Sequence, residues 1–357
     1  MKIGIIGSGL AGLAAGRELV KAGHDVTVIE KTEMTGGRLA SLEGGEEGNS
    51  LFDYGTSWFT ADTPEFRNFV AELLDEGLVK VWDRGDFWHY DGEQLLELNP
   101  NVARQVKYVA PDGMASIARY LSRWLDIRKD EKAGGLTYLG ANRGRKRAWM
   151  VNLTTFNTME ADAIVVATPA PQAYGVLLTT QDETPVLKLI REIDEVFYNQ
   201  SYALMATYGS VDQPDWHGIS CNDRVLSFIS NENSKRDEMN ETSLVVWSSA
   251  KFAREQIRKG PGRDLKQIEE QMLERLGSIA GDWASRPRWS RLHEWRFATP
   301  GKVIDRPYME FESEDAPLAL VGDYFMGGGV DYSYASGIRL ARHWIEKYSE
   351  LSQPVIS

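Results

Sequence analysis

Gly7, Gly9 and Gly12 follow the apolar run Ile3-Gly4-Ile5-Ile6 in the spacing Gly-x-Gly-x-x-Gly, and the next apolar run, Val26-Thr27-Val28-Ile29, stops at an acid, Glu30. These residue types suit a dinucleotide. Gly7 permits a tight turn, Gly9 lets the backbone approach a pyrophosphate, and Gly12 lets a helix pack closely on a strand. A helix starting at Leu10 and Ala11 presents free N–H groups and the positive end of its dipole to the phosphates. Glu30, with Lys31 beside it, stands about 20 residues on, where a carboxylate accepts hydrogen bonds from ribose hydroxyls. The alternative is a glycine-rich turn in an ordinary α/β unit. The strand before, the helix after and the placed acid favour the dinucleotide. Thr35-Gly36-Gly37-Arg38 then offers a second close backbone approach, with Arg38 either making charge-assisted bonds to phosphate or solvated at the surface. His293 and Trp295 are two residues apart, so on a strand they share a face; a lone histidine is more often structural. The chain shows no Ser-His-Asp set, no His-Glu-x-x-His and no metal-ligand cluster, so no metal is expected.

Several elements must position these residues. Residues 2 to 29 read as a β-α-β unit, and Pro64 to Leu74 as an amphipathic helix. Trp82, Phe87, Trp88, His89 and Tyr90 lead into Asp91-Gly92, a hairpin signal. Ser116 to Leu125 looks helical. Leu136 to Phe156 reads as a hairpin or meander around a basic tip, Arg143, Arg145, Lys146 and Arg147. Ala163 to Thr168 is continuously apolar, as a strand buried on both faces would be, and Pro169 and Pro171 end it. Alternation in Ser201–Ala206 and Leu244–Trp247 predicts an antiparallel sheet. Asp264 to Ile279 is an amphipathic helix. Leu318 to Val321 is a strand ending in Gly322-Asp323, followed by Gly327-Gly328-Gly329-Val330-Asp331 and a helix from Tyr334 to Tyr348.

The chain has 357 residues, enough for a sizeable core and, by length, for two domains. Its formal net charge of -12 argues against nucleic acid or an anionic membrane as partner. A single cysteine, Cys221, excludes an intramolecular disulfide and a Cys-x-x-Cys redox pair. No apolar run approaches the roughly 18 residues of a membrane span. A secretory signal at the start would destroy the glycine motif on cleavage, so a cytoplasmic location is expected. The oligomeric state is open.

The three glycine-containing segments together resemble the FAD-binding elements of the flavin amine oxidase superfamily. The resemblance implies that Gly7, Gly9, Gly12 and Glu30 hold the ADP half, that Gly37 and Arg38 belong to a second signature, and that Gly322-Asp323 is a third, its aspartate holding the ribityl chain. The final helix, near Val330, would offset negative charge on the reduced ring. Further patches narrow the resemblance to the renalases: Asp53 to Ala61, Val109 to Met114, Val166 to Gln172, Ser230 to Lys235, Trp247 to Arg254 and His293 to Ala298. Trp58 stands where a tyrosine is expected, and Glu294 where a basic residue is common. The implied fold is α/β: a discontinuous Rossmann-type FAD-binding domain (residues 1–77, 108–178 and 286–357) with an inserted α+β substrate domain on an antiparallel sheet (residues 78–107 and 179–285). Trp58, Phe59, His293 and Trp295 would wall the substrate pocket, plain core being the alternative for the aromatics. FAD would be noncovalent, because the turn Met326-Gly327-Gly328-Gly329 lacks the cysteine that some members use for attachment. The implied activity is oxidation of a small molecule, isomeric dihydro-NAD(P). Hydride passes to FAD and then to O2, giving hydrogen peroxide and β-NAD(P)+. The alternatives are a primary or polyamine oxidase, with Lys302 as the candidate lysine near the flavin, and a flavin-bearing binding protein with little catalysis.

Overall fold

Ile3, Ile5 and Ile6 are at most 4% exposed, because the first strand, Lys2–Ile6, lies inside a parallel sheet covered on both faces. The computed structural model describes residues 1–82, 87–97, 105–140, 147–180, 184–209, 214–237, 241–311 and 316–348. The sheet has six strands in the order Met309–Phe311, Leu318–Leu320, Ala163–Val166, Lys2–Ile6, Asp25–Ile29, Asp126–Arg128. All pairs are parallel except the outermost, Met309–Phe311 with Leu318–Leu320. From the first strand the chain moves to one side through Asp25–Ile29 and later to the other through Ala163–Val166. The carboxyl end of Lys2–Ile6 is therefore a topological switch point, where open α/β sheets bind ligands.

The first helix, Leu10–Lys21, leaves that switch point and packs against the final helix, Gly329–Lys347. The two backbones nearly touch: a Cβ on Gly337 would lie 2.2 Å from the Ala11 carbonyl oxygen. The final helix begins at Gly329, several residues before the predicted Tyr334, since its N-cap and first residue are glycines that read as turn in the sequence.

A second sheet has seven strands: Trp289–Pro300, Tyr198–Thr207, Ser243–Ser248, Leu226–Asn231, Gly218–Cys221, Phe87–Tyr90 and Leu95–Glu97. It is antiparallel apart from one parallel pair, Gly218–Cys221 with Phe87–Tyr90. Helix Leu265–Ala280 covers one face with Ile268, Met272, Leu276 and Ile279 against Tyr202, Leu204, Ile219 and Ile229. Asp264 caps that helix by accepting from the Lys266 and Gln267 amides. One assignment needs correction. Trp289–Pro300, which the sequence reading placed with the cofactor segment, is a full strand of this second sheet, paired from Tyr198 to Thr207. Its alternation of aromatic and charged residues is what a sheet with two differently covered faces demands.

A buried charge cluster ties the turn after strand Leu226–Asn231 to Asp53, which follows strand Ser50–Phe52. Lys235 bonds Glu232 at 2.7 Å and Asp53 at 3.4 Å, and Arg236 bonds Asp53 at 2.8 Å and Glu232 at 3.1 Å, all four side chains being at most 6% exposed. Asp53 also accepts from Ser41 and the Met114 amide. The predicted basic tip at Arg143, Arg145 and Lys146 lies outside the described residues; Arg147 pairs with Asp162. Among the described residues no helix is long and apolar enough to cross a membrane.

Candidate active site

At Gly7 and Gly12 the turn has room for backbone only, while a Cβ on Gly9 would meet no protein atom closer than 4.0 Å. A Cβ on Gly12 would sit 2.2 Å from the Gly7 carbonyl oxygen, and Gly7 itself has φ +106° with Ala167 O 2.7 Å from its missing Cβ. Here the glycine requirement is both conformational and steric. The turn Gly36-Gly37 lies directly alongside: the Gly36 amide donates to Ser8 O at 2.9 Å, and Gly9 and Gly36 pair as a bridge. Thr168, at the end of strand Ala163–Val166, packs its methyl 3.1 Å from the Gly7 Cβ position, and its hydroxyl is buried without a protein partner. A buried hydroxyl normally finds a partner, and a phosphate oxygen at this turn would supply one.

Glu30 is 7% exposed at the end of Asp25–Ile29. Its carboxylate accepts from the Ser8 amide (3.1 Å) and hydroxyl (2.7 Å) and from the Thr32 amide (3.0 Å) and hydroxyl (2.9 Å). That fills the roughly four acceptor sites of a carboxylate, so a ribose hydroxyl would take the place of the Ser8 or Thr32 hydroxyl. Lys31 is exposed and reaches Gln172 at 3.5 Å. Leu10 and Ala11 are buried, leaving their helix-terminal amides as the part that can face a ligand.

Arg38 and Asp323, 285 residues apart, meet. The guanidinium grips both carboxylate oxygens, one at 2.8 Å, and also donates to Ala298 O. Tyr198 donates to the same carboxylate at 2.8 Å. Burial, then the Asp323 charge, raises the Tyr198 hydroxyl well above the usual tyrosine range, so it stays a donor. Tyr198 carried no sequence signal. The final helix starts beside this pair: a Cβ on Gly328 would lie 3.5 Å from Asp323 O. Val330 packs half-buried on the cluster that includes Leu10 and Leu13. Asp331, in the helix's first turn, accepts from the Thr63 amide at 2.9 Å and from its hydroxyl.

Segment 54–59 lies over Arg38, with the Thr56 amide on Arg38 O at 2.9 Å. His293 and Trp295 do share a face, their rings 4.5 Å apart. Both meet Tyr54, and the Trp295 indole donates to Tyr54 O at 2.8 Å. Burial, then Arg291, holds the His293 pKa below the usual histidine range, so the ring is neutral at pH 7. Directly opposed positions carry the row across the sheet, from His293 through Ala203 and Trp247 to Phe228, and Trp58 meets Phe228 edge-on at 6.5 Å. Phe59 does not join them. It is 3% exposed, stacked on Tyr108 and edge-on to Phe66, because its place one residue after Trp58 turns it into the core. Glu294 likewise departs from its neighbours and bonds Arg263, Arg296 and Tyr202. Lys302 is half-exposed and paired with Glu195. Tyr54, Trp247 and Phe228, which join this row of rings, were not singled out in the sequence, although Tyr54 and Trp247 lie in patches that carried the family resemblance.

A family model described as "Flavin containing amine oxidoreductase" matches residues 97–345, and one described as "NAD(P)-binding Rossmann-like domain" matches residues 5–73. The first spans more than half of the chain, and the chain belongs to the flavin containing amine oxidoreductase family, whose cofactor is FAD. Cyclohexylamine oxidase from Brevibacterium oxydans IH-35A shares the fold with a TM-score of 0.71 at 13% identity, covering 99% of both chains. A triple mutant of putrescine oxidase does so with a TM-score of 0.68 at 14% identity, over 97% of this chain and 99% of that one. Phytoene desaturase of Neurospora crassa is 32% identical over 126 residues, 34% of this chain and 21% of its own length. The L-amino-acid oxidase of Trimeresurus stejnegeri is 48% identical over 150 residues, 38% of this chain and 27% of its own. The chain thus spans about a quarter of these curated relatives.

The residues fit FAD: a turn closed to side chains at Gly7 and Gly12, an unpaired buried hydroxyl at its edge, a buried acid, Glu30, at the end of the second strand and a second acid, Asp323, close to the start of the final helix. These features hold FAD without a covalent bond to the chain. The turn Met326–Gly329 has no cysteine, and Cys221 lies in the second sheet, its thiol pushed up to about 12 by burial. Glu30→Ala is expected to weaken FAD binding roughly tenfold or more, the worth of a hydrogen bond to a charged group. Flavin released by acid precipitation, plotted against added FAD, measures it. An unchanged affinity would place the ribose elsewhere.

Proposed function

We propose that this chain is a renalase-type oxidase that takes a hydride from isomeric dihydro-NAD(P) and hands it to O2, releasing hydrogen peroxide and β-NAD(P)+. When bound, FAD supplies the hydride acceptance and its return to dioxygen. The observation that carries the reading is the character of the wall beside Arg38 and Asp323. Tyr54, His293, Trp295, Trp58, Phe228 and Trp247 form an aromatic surface suited to a planar ring, and the neutral imidazole adds no charge to it. A dihydropyridine needs no proton removed from it, so such a wall has only to hold the ring flat. We place the cofactor on the six-stranded sheet with its connecting helices and the donor against the seven-stranded one.

The second reading is oxidation of a primary amine or polyamine. The folds of cyclohexylamine oxidase and putrescine oxidase favour it. Against it, Lys302, the lysine proposed for that chemistry, is engaged with Glu195 at the surface.

Anaerobic mixing of the holoprotein with isomeric dihydro-NAD(P), β-NADH and a set of amines separates the readings. Bleaching of the flavin by the isomeric dihydronicotinamides, and not by amines, supports the first. The reverse pattern overturns it. His293→Ala and Trp295→Ala are expected to retain FAD while slowing flavin reduction about tenfold to a hundredfold, since misplacing a donor by roughly an ångström has that cost. Stopped-flow absorbance reads the rate, and wild-type rates in both variants would remove this wall from the site.

A further inference from the structure

Lys107 is half-buried, its ammonium 5.1 Å from the ring centre of Trp58 and 4.5 Å from that of Phe87. Among the described residues no carboxylate lies within ion-pair distance of it. Burial alone pushes its pKa below the usual lysine range. It sits on strand Lys107–Val109, directly opposite Trp82. Phe87 in turn meets Trp82 at 4.9 Å and His217 at 5.8 Å, and these two line a cavity of about 450 Å³ with Lys80, Val81 and Ser234.

A half-buried cation with no carboxylate beside it among the described residues has lost part of its hydration, and it recovers that cost when an anion arrives. Two ring faces beneath the ammonium stabilise the charge without using all three N–H donors. The ring of Trp58 joins this lysine to the wall proposed for the donor. We propose that Lys107 binds a phosphate group of the donor and thereby selects phosphorylated dihydronicotinamides over amines. The inference rests on the dihydronicotinamide reading above. It explains how a chain of net charge -12 would admit a polyanionic donor. The same ammonium would repel the cation of an amine substrate.

The test compares wild-type, Lys107→Met and Lys107→Arg holoproteins. In anaerobic stopped-flow, Lys107→Met should raise the apparent Kd for isomeric dihydro-NAD about tenfold to a hundredfold. The limiting reduction rate should stay within about twofold, because charge-assisted binding is lost and ring placement is not. Lys107→Arg should restore most of the affinity. The uncharged isomeric dihydronicotinamide riboside should reduce all three proteins with the same apparent Kd. An equal loss for riboside and dinucleotide, or no loss for either, overturns the proposal. If no dihydronicotinamide reduces the wild type, the donor reading fails by itself, and a separate titration still judges Lys107. Inorganic pyrophosphate added to the holoprotein, followed by tryptophan fluorescence, should bind the wild type with a salt-dependent Kd and bind Lys107→Met far more weakly. Equal binding to both would overturn the anion site.

Discussion

Asp323→Ala is expected to yield a largely apo protein that is also less stable by about 3–5 kcal/mol, the range for removing one member of a buried ion pair. Asp323 is 5% exposed and satisfies two partners at once, Arg38 through both oxygens and Tyr198 through one. Truncation leaves the Tyr198 phenol without its acceptor and the Arg38 guanidinium with only the Ala298 carbonyl. Arg38 retains some solvent contact, which moves the loss toward the lower end of that range. The cofactor is expected to lose twice: the acid proposed to hold its ribityl hydroxyls is gone, and Arg38 is no longer held beside the Gly36-Gly37 turn. Asp323→Asn should keep an acceptor for Tyr198 and fall between the two. Thermal melts of the stripped proteins read the structural part, and FAD titration reads the rest. A variant that melts lower yet binds FAD like the wild type would mean that Asp323 serves the fold alone.

Local chemistry was legible where backbone geometry dictates residue type. No side chain fits at Gly12, and a buried parallel strand must be apolar on both faces, so the four inner strands of the first sheet and its switch point stand in the sequence almost unaided, while the short edge strands Asp126–Arg128 and Met309–Phe311 do not. The pairing of Arg38 with Asp323 was half legible: each residue carried a signal, and their contact did not, because nothing local links positions 285 apart. Tyr198 and Lys107 carried none. A tyrosine starting a strand and a lysine among aromatics look ordinary until the sheet is assembled. Phe59 shows the opposite failure. It shares a patch with Trp58, and only the strand-like reversal from one residue to the next sends one ring to the wall and the other into the core. Trp289–Pro300 was misplaced for a related reason, since sheet membership is decided by partners distant in sequence.

The buried cluster of Asp53, Glu232, Lys235 and Arg236 is where one substitution should damage both fold and site. It holds two acids against two bases, so its net charge is zero only while all four are present. Lys235→Met removes one base and leaves two carboxylates sharing Arg236 away from water. A loss of about 3–5 kcal/mol is expected, because an uncompensated buried charge costs more than the pair contributed. Asp53→Asn alone should be destabilising for the converse reason. The double variant Lys235→Met/Asp53→Asn restores neutrality and should lose less than the sum of the singles, with a coupling of about 0.5–3 kcal/mol. Denaturant midpoints of the four proteins give the cycle, and additive losses would show that the charges do not act as one unit. The site should respond as well. Asp53 anchors the segment that carries Tyr54 and Trp58, gripping Ser41 and the Met114 amide on one side and Arg236 on the other, while Ser57 reaches Glu232 through Ser230. Once Lys235 is gone that segment loses its fixed footing. Flavin reduction in Lys235→Met should therefore slow even under conditions where the protein is fully folded, and the double variant should recover part of the rate along with the stability.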